Sequence, residues 1–196
     1  LGRLVTTRIV PRLGRDPTAE DNTVHILTIA NPTLDLANSA CEVQALRELE
    51  GRHGDYAVEV QVIEREQATR ARFCELLAIG NYDIIHFAGH SSLDPDKPAR
   101  SALHFADGLL TANDVLELSW PAPPYFVFNS ACESGRAGGG RRLLSRRNQS
   151  NGLAAAFLAT GVAAYAGYFW PVSESGAGLI ASTFYRELFR QVNVGA

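Results

Sequence analysis

Several residue types are scarce in this sequence, and each scarcity excludes a class of protein. The 196 residues include no methionine and only three cysteines, Cys41, Cys74 and Cys132. Three cysteines without CxxC spacing exclude a disulfide framework and argue against a zinc site. They suit a reducing compartment, and we therefore expect a cytoplasmic protein. Because the chain begins at Leu1 and has no methionine, we also expect it to be part of a longer polypeptide.

Long apolar runs and an excess of positive charge are missing as well. No stretch reaches the about 18 apolar residues of a membrane span; the nearest, from Leu153 to Val172, is interrupted by glycine and proline. The formal net charge is −3, whereas a general nucleic-acid binder would carry a basic excess. We therefore expect neither a membrane nor a nucleic acid as a direct partner. With 46% apolar and 20% charged residues, the composition is that of a folded globular domain.

The chain does contain a regular alternation of strand and helix patterns. Short apolar segments typical of buried strands occur at 24–30, 58–63, 82–88, 125–129 and 162–168. Helical patterns lie between or after them, at 39–50, 69–80, 111–118, 151–161 and 175–191. We expect Ser39 with Glu42, and Thr111 with Asp114, to form capping boxes. This alternation predicts an α/β fold with a mostly parallel sheet.

Three remaining segments do not follow the alternation. Residues 1–22 are punctuated by proline and glycine, and we expect a linker or edge segment there, followed by one domain over 23–196. Residues 91–100 contain two prolines and are expected to form a loop. Asp107 and Gly108 mark a hairpin turn within 102–110.

Two residues stand where a parallel sheet carries its chemistry, at the carboxyl ends of strands. His90 follows the third predicted strand and Cys132 follows the strand at 125–129. If these two strands are neighbours, an imidazole and a thiol face one crevice. The imidazole would then take the thiol proton and produce an activated nucleophile.

Structural interpretations compete with this one. A lone cysteine is more often a small buried hydrophobe, and Cys41 and Cys74 fit that description because both lie within helical patterns. Cys132 differs because small polar residues and glycine surround it. His86 lies inside a strand, which favours a hydrogen-bonded core histidine. No role is assigned to three other histidines: His25, His53 and His104.

Sharper catalytic motifs are absent. The segment after the third strand lacks the second glycine of the GxSxG elbow, which argues against a serine hydrolase. The glycine-rich segment 135–142 has no GK[ST], and no GxGxxG follows the first strand, so phosphate-binding loops have no support. Four arginines in 141–147 are interpreted as a solvated loop rather than as a phosphate site.

The segment DIIHFAGH at 83–90 resembles the histidine motif of CHAT domains, a caspase-like family in the clan that includes separase. The segment NSACESG at 129–135 resembles their cysteine motif. Further similar segments follow the family's order and extend the resemblance over about residues 24–190; these are DGLLTAND at 107–114, GLAAAFL at 152–158, YFWPV at 168–172 and Phe184-Tyr185.

The resemblance implies a caspase-like three-layer α/β/α sandwich and a regulated cysteine endopeptidase that needs no metal or cofactor. Cys132 would be the nucleophile and His90 the general base and acid, with the backbone amides of Ser91 and Cys132 binding the oxyanion. Such domains resemble effectors of bacterial defence, held inactive by an adjacent regulatory or sensor domain. The expected partners are therefore a protein or peptide substrate and that missing domain.

The sequence departs from the family at the predicted site. Ser91 stands where the family usually has glycine, and Ser173 and Glu174 stand where it often has two aspartates. In separases an acidic residue four places after the tryptophan lies where a basic P1 side chain docks. Trp170 and Glu174 are therefore predicted to line the substrate pocket, although Glu174 could instead simply begin the last helix.

Residues 135–150 follow the predicted nucleophile and are expected to be mobile and open to cleavage at paired arginines. Two other functions stay open. One is a catalytically idle caspase-like module for protein interaction, and the other is a small-molecule hydrolase or transferase that uses the same pair of residues.

Overall fold

The computed structural model describes residues 23–53, 56–118, 120–131, 152–168 and 172–192. Within these ranges the chain forms nine strands and five α-helices. The strands are β1 (Thr23–Ala30), β2 (Gly51–His53), β3 (Tyr56–Glu64), β4 (Ile84–Ala88), β5 (Ser91–Ser92), β6 (Ala102–Phe105), β7 (Gly108–Thr111), β8 (Phe126–Asn129) and β9 (Ala164–Gly167). The helices are α1 (Ser39–Arg47), α2 (Arg70–Ile79), α3 (Ala112–Glu117), α4 (Leu153–Ala159) and α5 (Glu174–Val192).

The main sheet has six strands in the order β2-β3-β1-β4-β8-β9. The short edge strand β2 is antiparallel to β3, and the other four pairings are parallel. The central strands β4 and β8 are buried along their whole length, as a sheet covered by helices on both sides requires. The mixed α/β fold with a mostly parallel sheet is therefore confirmed.

Two apolar layers cover the sheet, one on each face. One layer joins strand residues such as Ile85 and Val127 to α2, α3 and α4. The other joins their sequence neighbours Ile84 and Phe126 to α1 and α5. Because successive side chains of a strand point to opposite faces, these neighbours divide between the two layers and produce a three-layer α/β/α arrangement.

A second, three-stranded antiparallel sheet of β5, β6 and β7 lies between β4 and β8 in sequence. The hairpin of β6 and β7 turns at Ala106 and Asp107, close to the turn predicted at Asp107-Gly108. Residues 91–100 are not wholly a loop, because Ser91 and Ser92 pair with β6 and a 3-10 turn spans Pro98–Arg100.

Helix capping follows the sequence in two cases and departs from it in one. The Thr69 hydroxyl accepts from Arg72 N–H at the start of α2, and Thr111 forms the expected capping box with Asp114 at the start of α3. The capping box predicted for Ser39 and Glu42 is wrong. The N-cap of α1 is Asn38, whose side chain makes no capping hydrogen bond. The Glu42 carboxylate is buried and contacts a core histidine, described below, instead.

Candidate active site

Strands β1, β4 and β8 lie side by side and end at the same edge of the sheet. Pairing continues past their last residues. Asn31 N–H donates to Ala88 O over 2.9 Å, and Ser130 N–H donates to Phe87 O over 2.8 Å. Strands β4 and β8 are thus neighbours, as a shared crevice between the segments after them requires. In parallel sheets this edge is where ligands bind.

His90 stands two residues beyond β4, at this edge. Its carbonyl accepts from His104 N–H over 3.0 Å, which fixes its backbone to the second sheet, and its side chain is 40% exposed. Gly89, the residue before it, has no room for a side chain. A Cβ there would lie 2.6 Å from Cε1 of the buried Phe87 ring and 3.3 Å from Pro32 Cδ. The glycine therefore lets the chain turn closely over β4 to present the imidazole.

The imidazole of His90 contacts a carboxylate that the sequence analysis did not single out. His90 Nε2 lies 3.0 Å from Asp35 Oδ1 and 3.1 Å from Asp35 Oδ2. A hydrogen bond from Thr33 and, after it, the charge of His90 lower the pKa of Asp35 below its ordinary value, although partial desolvation opposes them. An ionised carboxylate therefore faces Nε2 of the His90 ring, and Nδ1 is the ring nitrogen that does not contact it.

The loop that carries Asp35 follows β1 directly and is held by Asn31. The Asn31 side-chain oxygen accepts from Leu36 N–H over 3.0 Å, and its carbonyl accepts from Leu34 N–H over 3.2 Å. Asn31 and Leu34 both have left-handed backbones, with φ of 47° and 68°. Asparagine tolerates this conformation better than most residues, whereas leucine does so rarely, which marks a constrained loop.

The end of β8 is fixed by buried polar contacts. The Asn129 amide donates to the Tyr165 hydroxyl over 2.8 Å, and its side-chain oxygen accepts from Ala131 N–H over 3.1 Å. The Ser130 hydroxyl lies 3.4 Å from that of Tyr168. These contacts specify the path of the chain up to Ala131, at the same edge as His90.

A family model, described as the CHAT domain, matches residues 4–195. The chain belongs to the CHAT domain family. This confirms the resemblance drawn from the motifs and makes the protein a member of a caspase-like, peptidase-related family. A comparison with curated proteins finds no match.

Several predicted features of this CHAT domain lie outside the described residues. They are Cys132, Trp170, the segments 1–22 and 135–150, and the arginines within the latter. Of the predicted site, the structure describes His90, Ser91 and Glu174. Of the other cysteines, Cys74 is half-buried, whereas Cys41 is exposed on α1, so the expectation that it is a buried hydrophobe is wrong.

Ser91 and Glu174 occupy different surroundings in the CHAT domain. Ser91 lies in β5 opposite Leu103. Glu174 is the first residue of α5, and its Oε2 accepts from Asn38 N–H over 2.9 Å, at the N-terminus of α1. The Glu174 carboxylate therefore links the beginnings of two helices that pack on the same face of the sheet.

His104, to which no role was assigned, lies beside His90. The two ring centroids are 6.4 Å apart, and His104 Nε2 is buried without a hydrogen-bond partner. Burial, and then the charge of His90, lower the pKa of His104, while Asp35 acts in the opposite direction. An aromatic, polar wall thus flanks the candidate base on the side of the second sheet.

His86 is the core histidine that the sequence predicted. Its Nε2 lies 3.1 Å from Glu42 Oε2 and its Nδ1 lies 3.2 Å from the Tyr185 hydroxyl, all three side chains being buried. Glu42 is therefore the buried partner that replaces the expected capping box. His86 lies within β4 and faces α1 and α5, whereas His90 stands beyond the end of that strand.

Among the described residues, no group of three or more histidine, cysteine, aspartate or glutamate side chains is arranged to hold a metal ion. None of the described helices combines the length and the apolar character needed to cross a membrane.

Proposed function

We propose that this CHAT domain is a regulated cysteine endopeptidase, with Cys132 as nucleophile and His90 as general base and acid. The observation that carries the proposal is the parallel pairing of β4 with β8, continued by the bond from Ser130 N–H to Phe87 O. Cys132 directly follows Ala131 in the chain, and Ala131 is the last described residue at the edge where His90 stands. Histidine and cysteine in one crevice are what nucleophilic catalysis requires.

The backbone N–H groups of Ser91 and Cys132 are the proposed oxyanion donors. His104 N–H donates to His90 O, so the next opposed pair, Ser91 and Leu103, is of the non-hydrogen-bonded type. This register directs Ser91 N–H away from β6. One such donor contributes about 3 kcal/mol to transition-state stabilisation, and serine in place of the family's glycine retains the N–H.

The proposed substrate is a protein or peptide with a basic P1 residue. Trp170 would form an apolar wall of the P1 pocket and Glu174 would supply a carboxylate for a charge-assisted hydrogen bond to arginine or lysine. Glu174 is half-exposed, and Asn38 N–H occupies its Oε2. A carboxylate accepts up to about four hydrogen bonds, so that contact leaves acceptor capacity for a ligand.

The proposal places the domain as the effector of a longer bacterial sensor or defence protein. An adjacent regulatory domain would hold it inactive until a signal arrives. The reason for expecting such control is that an unregulated peptidase would damage its own cell.

Trapping with a peptidyl acyloxymethyl ketone that carries arginine at P1 tests the activity. Intact-mass and peptide mass spectrometry should find one adduct, on Cys132, in the wild-type chain and none in Cys132→Ala. Cys41→Ala is the matched control and should be trapped like the wild type. Absence of any adduct on Cys132, with this probe and with matched probes that carry aspartate or leucine at P1, would contradict the peptidase proposal and favour a catalytically idle interaction module.

Profiling a peptide library tests the pocket separately. We expect cleavage after arginine or lysine, and loss of that preference in Glu174→Gln, which keeps an acceptor for Asn38 N–H but removes the charge. A preference for aspartate or apolar P1 residues, unchanged by Glu174→Gln, would contradict the basic pocket and leave the nucleophile assignment intact. If only small-molecule esters or amides react, the domain is a hydrolase of another class.

A further inference from the structure

We infer that Asp35 is a positioning residue that holds the Nε2–H of His90 and makes Nδ1 the atom that accepts the thiol proton. This inference rests on the proposed peptidase function and adds a third side chain to the histidine and cysteine. It follows from the contact between the loop after β1 and the segment after β4, two neighbouring strands of the sheet.

The geometry determines which ring nitrogen carries the proton. Both oxygens of Asp35 face His90 Nε2, at 3.0 and 3.1 Å. An ionised carboxylate only accepts hydrogen bonds, so the nitrogen that faces it must be protonated. The neutral imidazole is then the Nε2–H tautomer with an unprotonated Nδ1, which is the form a general base needs.

Three contacts keep the carboxylate in place. The Thr33 hydroxyl donates to Asp35 Oδ1, which fixes the rotation of the carboxylate. The Asn31 side chain accepts from Leu36 N–H and closes the loop over 31–36. The same Asn31 donates its N–H to Ala88 O, so the loop is anchored to the strand that leads to His90.

The exposure of the His90 and Asp35 side chains argues that their contact positions the imidazole rather than stabilises the fold. The side chains of His90 and Asp35 are 40% and 63% exposed, and ion pairs at such positions contribute little to folding stability. The fold therefore gains little from the pair, whereas the orientation and tautomer of His90 depend on it directly. Removal of the carboxylate should leave the chain folded and impair the chemistry.

In the proposed reaction the proton of the Cys132 thiol passes to His90 Nδ1, and the thiolate sulfur bonds to the scissile carbonyl carbon. The carbonyl electron pair moves to oxygen and returns as the C–N bond breaks, while Nδ1 gives its proton to the leaving amine. Water then attacks the thioester, gives a proton to Nδ1, and the sulfur leaves and regains a proton. Asp35 keeps its charge and the Nε2–H bond through every step, as the carboxylate of a serine-protease triad does.

Steady-state kinetics with a fluorogenic peptide, selected from a library screened against the wild-type chain, test the inference. A general base contributes about 10²- to 10⁴-fold to rate, and because the pair is exposed we expect Asp35→Ala to lower kcat by about 10- to 100-fold with KM within twofold. Thr33→Val should lower kcat less, and Asp35→Glu should restore part of the loss. Asp96→Asn, which removes an exposed carboxylate from another loop, should match the wild type.

Nitrogen-15 NMR of the histidine rings, in the Cys132→Ala background, supplies a readout independent of turnover. His90 should show a protonated Nε2 and an unprotonated Nδ1, and Asp35→Ala should abolish this preference while Asp96→Asn keeps it. A protonated Nδ1 in the parent chain, or an Asp35→Ala variant with unchanged tautomer and kcat, would overturn the inference. If the tautomer depends on Asp35 but the wild-type chain neither cleaves peptides nor is trapped, the positioning stands and the peptidase proposal fails.

Discussion

His86 joins one strand to both helices on one face of the sheet, through Glu42 of α1 and Tyr185 of α5. Burial, followed by the negative charge of Glu42 and by Tyr168, raises the pKa of Tyr185 well above its ordinary value. The Tyr185 hydroxyl therefore keeps its proton. This buried chain of polar contacts is a structural device, because no member of it reaches the edge where His90 stands.

Glu42→Leu should lower the free energy of unfolding by about 1–3 kcal/mol, because it leaves His86 Nε2 buried without its partner. Urea unfolding followed by circular dichroism measures this change. Gln44→Leu is the matched control, since it places the same apolar side chain at an exposed position of α1. An equal loss in both variants would mean that the Glu42–His86 contact contributes nothing.

Gly89→Ala should impair both stability and catalysis. The new Cβ would lie 2.6 Å from Cε1 of the Phe87 ring, which is buried, so the ring or the backbone would have to shift. Overpacking of this kind costs about 1–3 kcal/mol of stability, and the strain falls on the residue next to His90. We expect a lower melting temperature and a lower kcat. Gly108→Ala serves as comparison, because a Cβ at Gly108 meets nothing but its φ of 140° strains the backbone; it should affect stability and leave kcat unchanged.

The three cysteines should differ in their rates of reaction with iodoacetamide and with a peptide electrophile. Cys41 is exposed and should react readily with iodoacetamide. Burial raises the pKa of the Cys74 thiol, although the charge of Arg70 opposes this shift. Cys74 should therefore be the slowest of the three to alkylate at neutral pH. A peptide electrophile should instead select Cys132. Peptide mapping by mass spectrometry measures each rate; Cys74 alkylating as fast as Cys41 would contradict this order.

Acidification should weaken the fold through His104. Because its pKa is lowered in the folded state, the unfolded chain binds more protons once the pH falls below the unfolded value of about 6.5. Stability should therefore fall as the pH decreases from about 6.5 toward the folded pKa. The urea midpoint of unfolding, measured as a function of pH, follows this loss of stability. His104→Phe removes the titrating group and should make the midpoint less dependent on pH in this range. An unchanged dependence on pH would exclude a contribution from His104, despite its ring contact with His90.

The sequence was sufficient for most of the framework because periodicity and capping are local signals. The helical pattern at 69–80 predicted α2 almost to the residue, since the Thr69 cap and the buried face of the helix lie within one segment. Ser39 and Glu42 had the spacing of a capping box, but a buried imidazole distant in sequence competes for the same carboxylate. Local spacing cannot reveal such a partner.

Asp35 was missed for a related reason. Sequence reasoning placed the chemistry after the strands that precede His90 and Cys132, and it assigned no role to the loop after the first predicted strand at 24–30. The carboxyl end of β1 lies at the same edge, because β1 pairs with β4. Asp35 could have been found by looking for polar residues in the loop after each central strand. Which strands are central depends on the strand order, which is a non-local property of the fold.

The strand order also has a consequence for timing. β4 and β8 are neighbours in the sheet, but the antiparallel hairpin and α3 separate them in the chain. At a synthesis rate of about 5–20 residues per second, the segment with His90 leaves the ribosome on the order of seconds before β8 does. Until β8 docks against β4, the proposed base has no thiol beside it. Under the proposed mechanism, a nascent chain therefore has no complete pair of catalytic residues until the segment after β8 is made, and the delay is inherent in the order of its segments.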